Sequence, residues 1–170
     1  MVTFLNNHDL ARFYGVVGKD FEKFKMGIGM LMTMRGIPSL YYGTEILMSE
    51  TDGHGKIRED FSGGWPTDSL SKFSAEGRSD LENEAFNYIS KLAHLRQSNE
   101  ALYSGNTVQY VPENGLYVYF RYTEDQTFMV AVNTSDKEVT SKSDKYEQFL
   151  KSGLVGNALL NVISGESERI

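Results

Sequence analysis

The sequence predicts a parallel α/β segment followed, past a boundary near Leu102, by a small antiparallel all-β domain. Three observations predict it. Two short apolar runs, residues 2–5 and 37–42, are separated by one helical pattern, which is the strand–helix–strand order of a parallel sheet. A second helical pattern, residues 81–97, follows the second run. Beyond it the hydrophobic period drops to two, and polar turns interrupt the runs, as in antiparallel hairpins.

Each element has a local reason. Residues 2–5 read as a buried-type strand that ends abruptly in Asn6, Asn7, His8 and Asp9. In residues 21–35, Phe21, Phe24, Ile28 and Leu31 recur at helical spacing. Met26, Met30 and Met34 run down a second face, so burial on both faces is expected. Gly27 and Gly29 lie mid-helix, where they permit close packing rather than phosphate binding. Gly36 is placed to cap this helix, and Pro38 bars its continuation. "IPSLYY", residues 37–42, is the second strand, closed by Gly43. Residues 44–78 are Gly-rich and weakly periodic, and a connection of that length is commonly functional. In residues 81–97, Phe86, Ile89, Leu92, Ala93 and Arg96 share one side of a helix. From Thr107 the chain alternates apolar and polar residues, with breaks at residues 112–115, 123–126 and 133–136, which predicts a meander. Residues 146–150 suggest a helical turn, and residues 158–164 a last strand.

Composition narrows the function. The 170 residues include 17 basic and 23 acidic ones, for a net charge of -6. No basic stripe is present, so a nucleic-acid partner is not expected. No stretch approaches the roughly 18 apolar residues of a membrane helix, so a membrane partner is not expected either. The absence of cysteine excludes disulfides, thiolate metal sites and cysteine nucleophiles, and leaves the compartment open. His54 with Asp52 supplies too few ligands for a cation, so neither metal nor cofactor is expected. Aromatic residues are plentiful, and Trp65, in a Gly-rich loop, is the best candidate for stacking on a flat ligand.

In parallel α/β barrels, chemistry sits at the C-terminal ends of the strands. Residues 6–9 and 41–45 occupy that position after the two strands. They would line a polar pocket floor with His8, Asp9, Tyr41, Tyr42 and Glu45. A fixed carboxylate there suits an oxocarbenium-like transition state of glycoside cleavage, and a His can donate to a sugar hydroxyl. The plainer alternative for His8-Asp9 is a strand-end turn capped by Asp9.

These residues carry a family resemblance. "FLNNHDLAR" resembles the F-x-x-N-H-D segment at the seventh barrel strand of the α-amylase superfamily, glycoside hydrolase family 13. "GIPSLYYGTEI", residues 36–46, resembles its G-x-P-x-x-Y-Y-G-x-E segment at the eighth strand. "GKIREDFSGGW", residues 55–65, is similar to a loop of neopullulanase and cyclomaltodextrinase relatives. "LRQSNEAL", residues 95–102, resembles the end of the last barrel helix.

The resemblance implies the last two β/α units of a (β/α)8 TIM barrel in residues 1–102. Residues 103–170 would form a small antiparallel β-sandwich domain. It implies Asp9 as the transition-state stabiliser, with His8 and Arg12 in the substrate site, Arg12 through positioning. Arg58 and Asp60 would contact outer sugars, beside Trp65. The family's nucleophile and acid/base come from earlier strands, and no G-x-R-x-D segment occurs. The expectation is the C-terminal portion of a retaining α-glucan hydrolase acting on α-1,4 links, inactive alone. Two alternatives remain: a non-catalytic carbohydrate-binding module, or a transglycosylase or isomerase of the same superfamily. The expected partners are an α-glucan oligosaccharide and the N-terminal part of the barrel. Without the latter, the chain would self-associate through Phe4, Leu5, Leu40 and the helix of residues 21–35.

Overall fold

A computed structural model describes residues 1–150, 158–160 and 167–169. They form two compact units. One comprises Met1–Met32 with Gly36–Leu95; the other comprises Thr33–Arg35 with the chain from Arg96 onward.

The first unit is built on strands β1 (Val2–Thr3) and β2 (Ile37–Pro38), which pair in parallel with Val2 opposite Ile37. Both are shorter than the apolar runs predict. Each has a single strand partner among the described residues, and Pro38 has no N–H to extend the ladder. After β1 come helices α1 (Phe13–Val16) and α2 (Phe21–Thr33). Helix α3 (Asp80–Ser98) follows the long connection. The core holds Tyr14, Phe24, Ile28, Met32, Leu47, Ala85, Ile89 and Leu92. Phe24 sits among the rings of Phe13, Tyr14 and Phe21, with centroids 5.6 to 6.1 Å away. Gly27 makes room for this: a Cβ there would come within 2.4 Å of the Phe13 ring.

Three expectations for this unit change. Helix α2 buries one face only, through Phe24, Ile28, Leu31 and Met32, while Met26 and Met30 are half-buried and Met34 is exposed. Gly36 does not cap the helix, which ends three residues earlier at Thr33. It leads the chain into β2, where a Cβ would stand 3.1 Å from the Met1 carbonyl oxygen. On α3 the buried stripe is Ala85, Ile89, Leu92 and Arg96. Ala93 is exposed, and Phe86 lies partly open under the Arg78 guanidinium, 4.0 Å from its ring centre.

The second unit contains helix α4 (Glu100–Tyr103) and a three-stranded antiparallel sheet of β3 (Asn106–Gln109), β4 (Leu116–Tyr122) and β5 (Thr127–Asn133). The β3–β4 turn places Asn114 and Gly115 at φ +52° and +83°, the left-handed pair that a tight hairpin needs. After β5 come a 3₁₀ turn (Ser143–Tyr146) and helix α5 (Glu147–Leu150). Val118 and Phe120 pack with Tyr146 and Phe149 as a core. The Phe120 and Phe149 rings stack at 4.2 Å. Strands β6 (Ala158–Leu160) and β7 (Ser167–Arg169) form a separate antiparallel pair. Residues 161–164 of the expected last strand lie outside the described residues.

Alternation predicts β4 as half-buried, yet Val118, Tyr119, Phe120 and Arg121 are all buried. On the second face, Tyr119 and Arg121 meet Thr33, Gly105 and Asn106. The Arg121 guanidinium donates to the carbonyls of Thr33, Gly105 and Asn106 at 3.2, 2.9 and 3.3 Å. Arg96 donates to the Met34 carbonyl at 3.0 Å. Two cations thus meet consecutive carbonyls, those of Thr33 and Met34. The Tyr117 and Tyr119 rings meet along the strand at 5.4 Å rather than across strands.

The Tyr119 hydroxyl hydrogen-bonds to the Thr33 hydroxyl. Burial pushes its pKa up to about 12, although the Thr33 hydrogen bond and the Arg121 and Arg96 charges pull the other way. Below pH 10 Tyr119 holds its proton in folded and unfolded chain alike. Between about pH 10 and 12 the unfolded chain loses that proton first, so stability falls by about 3 kcal/mol across that window. Urea melts followed by the far-ultraviolet signal should show this alkaline slope, and Tyr119→Phe should flatten it. An unchanged slope in the variant would assign the loss to other groups.

Candidate active site

The site is built where β1 and β2 end. After β1 the chain turns sharply because the Asn7 side-chain oxygen accepts from the backbone N–H of Asp9 and Leu10, at 2.8 and 3.0 Å. This turn presents His8 and Asp9 to solvent, with side chains about three-fifths exposed. Asn6, beside them, is buried, and its side-chain oxygen accepts a long hydrogen bond of 3.5 Å from the Thr44 hydroxyl.

Both Asp9 oxygens are engaged. Oδ1 accepts from Arg58 Nη2 at 2.9 Å, and Oδ2 lies 3.1 Å from His8 Nε2. Arg58 Nε also donates to the His8 carbonyl at 2.8 Å. The carboxylate is therefore oriented, accessible and flanked by a cation and an imidazole.

Past β2, Tyr41 and Tyr42 meet edge to face at 4.6 Å. Gly43 then takes φ +79°, a conformation that favours glycine, and a Cβ there would displace the flexible Met48 side chain. The Arg12 guanidinium lies 4.2 and 4.7 Å from the centres of the Tyr41 and Tyr42 rings, and its Nη1 donates to the Tyr42 carbonyl. Partial burial, followed by the neighbouring Tyr41, raises the pKa of the Tyr42 phenol. The Tyr42 hydroxyl donates to the Glu59 carbonyl at 2.7 Å.

The long connection is not featureless. It contains 3₁₀ turns at Thr44–Ile46, Lys56–Arg58 and Ala75–Gly77. Ile57, buried, anchors the turn that carries Arg58. Further on, Asp68 Oδ2 accepts from the backbone N–H of Gly63 and Trp65, at 2.6 and 3.1 Å. Asp60 Oδ2 accepts from the Trp65 indole N–H at 3.1 Å, and the indole is 60% exposed.

The structure thus brings His8, Asp9 and Arg58 together, and separately pairs Asp60 with Trp65. Arg12 is fully buried, with its guanidinium against the Tyr41 and Tyr42 rings. Sequence reasoning missed Asn7 as the turn former, although an Asn two residues before Asp9 is a readable turn signal. It also missed the carbonyls of His8, Tyr42 and Glu59, which no side-chain pattern could reveal.

Comparison with known proteins gives two family matches along the chain. Residues 1–64 match the model of the α-amylase catalytic domain, and residues 107–169 match that of the cyclo-malto-dextrinase C-terminal domain. The chain is 36% identical to an α-amylase of Niallia circulans over 98% of its own length and 28% of that protein's. It is 37% identical to a cyclomaltodextrin glucanotransferase of Geobacillus stearothermophilus over 79% of its own length and 16% of that protein's. Among solved structures, an Anoxybacillus α-amylase superposes with a TM-score of 0.71 and 25% identity, over 99% of this chain and 33% of that one. An α-amylase from H. orenii gives 0.65 and 27%, over 78% of this chain and 29% of that one. The chain belongs to the α-amylase superfamily, glycoside hydrolase family 13. It spans less than a third of the length of either of these curated relatives.

Proposed function

We propose that the chain is the C-terminal portion of a retaining α-glucan hydrolase. Residues 1–102 would supply the last two β/α units of a (β/α)8 barrel, and residues 103–170 an antiparallel β domain of sandwich type. Asp9 stabilises the positive charge that develops on the sugar ring, and His8 donates to a neighbouring sugar hydroxyl. Asp60 holds the Trp65 indole as a stacking face for an outer sugar. The nucleophile and the acid/base come from barrel strands outside this sequence. The observation that carries the reading is the Asp9 carboxylate, oriented at both oxygens in the turn that follows a parallel strand and open to solvent.

Two further features support a missing barrel. Buried Arg12 Nε and Nη2 have no hydrogen-bond partner among the described residues, and a buried guanidinium normally has its donors met. Val2, Phe4, Ile37 and Leu40 are exposed on or beside the two-stranded pair, as expected of surfaces that take a further strand or a second copy of the chain.

The test is direct. The 170-residue chain alone should release no reducing sugar from maltodextrin, pullulan or cyclodextrin above a buffer blank, since loss of triad-type partners typically removes about 10⁴-fold or more in rate. Release that Asp9→Asn abolishes would overturn the reading. Several relatives are cyclomaltodextrin glucanotransferases, which favours transfer as the second reading. Product analysis of the intact enzyme distinguishes the two: free glucan ends indicate hydrolysis, and new or cyclic links indicate transfer.

A further inference from the structure

We propose that Arg58 is a positioning residue that sets the Asp9 carboxylate, and that residues 58–59 form a strap across the ends of both strands. This rests on the reading of Asp9 as the transition-state stabiliser.

Two adjacent loop residues each grip one strand end. Arg58 spans the end of β1, with Nε on the His8 carbonyl at 2.8 Å and Nη2 on Asp9 Oδ1 at 2.9 Å. The Glu59 carbonyl holds the Tyr42 hydroxyl, past the end of β2, at 2.7 Å. Behind them Ile57 is buried, and the Glu59 N–H closes the turn onto the Lys56 carbonyl at 3.2 Å. The strap is therefore fixed by the core on one side and by both strand ends on the other.

The chemistry calls for arginine. One planar group reaches a main-chain carbonyl and the following side chain together, which fixes the direction of the carboxylate as well as its place. Lysine presents a single ammonium and cannot hold both acceptors in a set geometry. Arg58 and Asp9 are about half exposed, so their attraction adds little to folding. Their arrangement matters to reactivity instead, because a misplacement of about 1 Å can cost on the order of 10²-fold in rate. This separates Arg58 from a residue that merely touches an outer sugar. With its guanidinium committed to His8 and Asp9, its effect passes through Asp9.

The experiment uses the intact enzyme and the 170-residue chain. In the intact enzyme, Arg58→Gln should lower kcat roughly 10- to 100-fold with KM changed less than about twofold. The loss should be equal on a short aryl maltoside and on a long maltodextrin, and Arg58→Lys should recover part of it. In an Asp9→Asn background the same change should cost less than about threefold, because the group it positions is already neutral. A KM effect confined to the long substrate, or an undiminished loss in the Asp9→Asn background, would overturn the proposal. In the chain itself, the Arg58 Nη2–H resonance, assigned by its loss in Arg58→Lys, should shift in Asp9→Asn, where its charged acceptor becomes a neutral one. An unmoved resonance would overturn the pairing of Arg58 with Asp9. If the unmodified intact enzyme turned over neither glucan, the functional reading would fall, while the resonance would still decide whether Arg58 holds Asp9.

Discussion

In the intact enzyme, Asp9→Asn is expected to lower kcat by on the order of 10³-fold or more, with KM within a few-fold of its original value. Asparagine keeps the size of the side chain and one acceptor oxygen, so Arg58 still has a partner, while its NH2 can only donate. What it removes is the negative charge that faces the developing cation. A group whose charge acts only in the transition state changes kcat and leaves ground-state binding largely alone. His8→Ala should be milder, roughly tenfold, because it deletes one hydrogen bond to a hydroxyl. Steady-state kinetics on a defined maltooligosaccharide check the order. If His8→Ala proved the more damaging, the two roles would have to be exchanged.

Phe120→Ala is expected to cost about 3–5 kcal/mol in the second unit. Phe120 is fully buried, stacks on Phe149 at 4.2 Å and lies 6.0 Å from the rings of Tyr110 and Tyr146. Truncation leaves a hole that neighbouring aromatic rings cannot close by small shifts. Amide exchange in β4 and β5 is the measure, since central sheet amides report the deepest opening. Protection there should drop by on the order of 10²- to 10³-fold. A drop below about tenfold would mean that Phe149 and Tyr146 rearrange to refill the space.

The elements legible in the sequence are those whose residues state their surroundings locally. The meander announces itself through alternation and through Asn114-Gly115, whose conformations only a few residues adopt. Helices α2 and α3 are legible from the spacing of Phe24 and Ile28 and of Ile89 and Leu92. The candidate site is legible in outline because His8-Asp9 and Tyr41-Tyr42-Gly43 follow two apolar runs of strand type separated by one helical pattern. What was hidden depends on distant partners. Arg58 lies 49 positions from Asp9 and belongs to a loop with no period, so nothing local ties the two together. Arg121 occupies a position that alternation assigns to a solvent face, and it is buried there against the carbonyls of Thr33, Gly105 and Asn106, which no local pattern reveals. Along α2, apolar spacing marks Met26 and Met30 as a surface that can be buried and does not say what covers it.

Arg121 has one more consequence. Its three acceptors are main-chain carbonyls, so it recognises the path of the chain at Thr33, Gly105 and Asn106 and is blind to the side chains there. Asn106 can accordingly drift through evolution without disturbing the contact. Gly105 cannot, since a Cβ there would stand 2.5 Å from the Ala101 carbonyl oxygen. Paired substitutions between relatives, which betray contacts between side chains, would leave no trace of this one. An arginine of this kind is retained by itself, and in a designed variant of the β domain it would have to be carried over together with the loop geometry rather than with any partner residue.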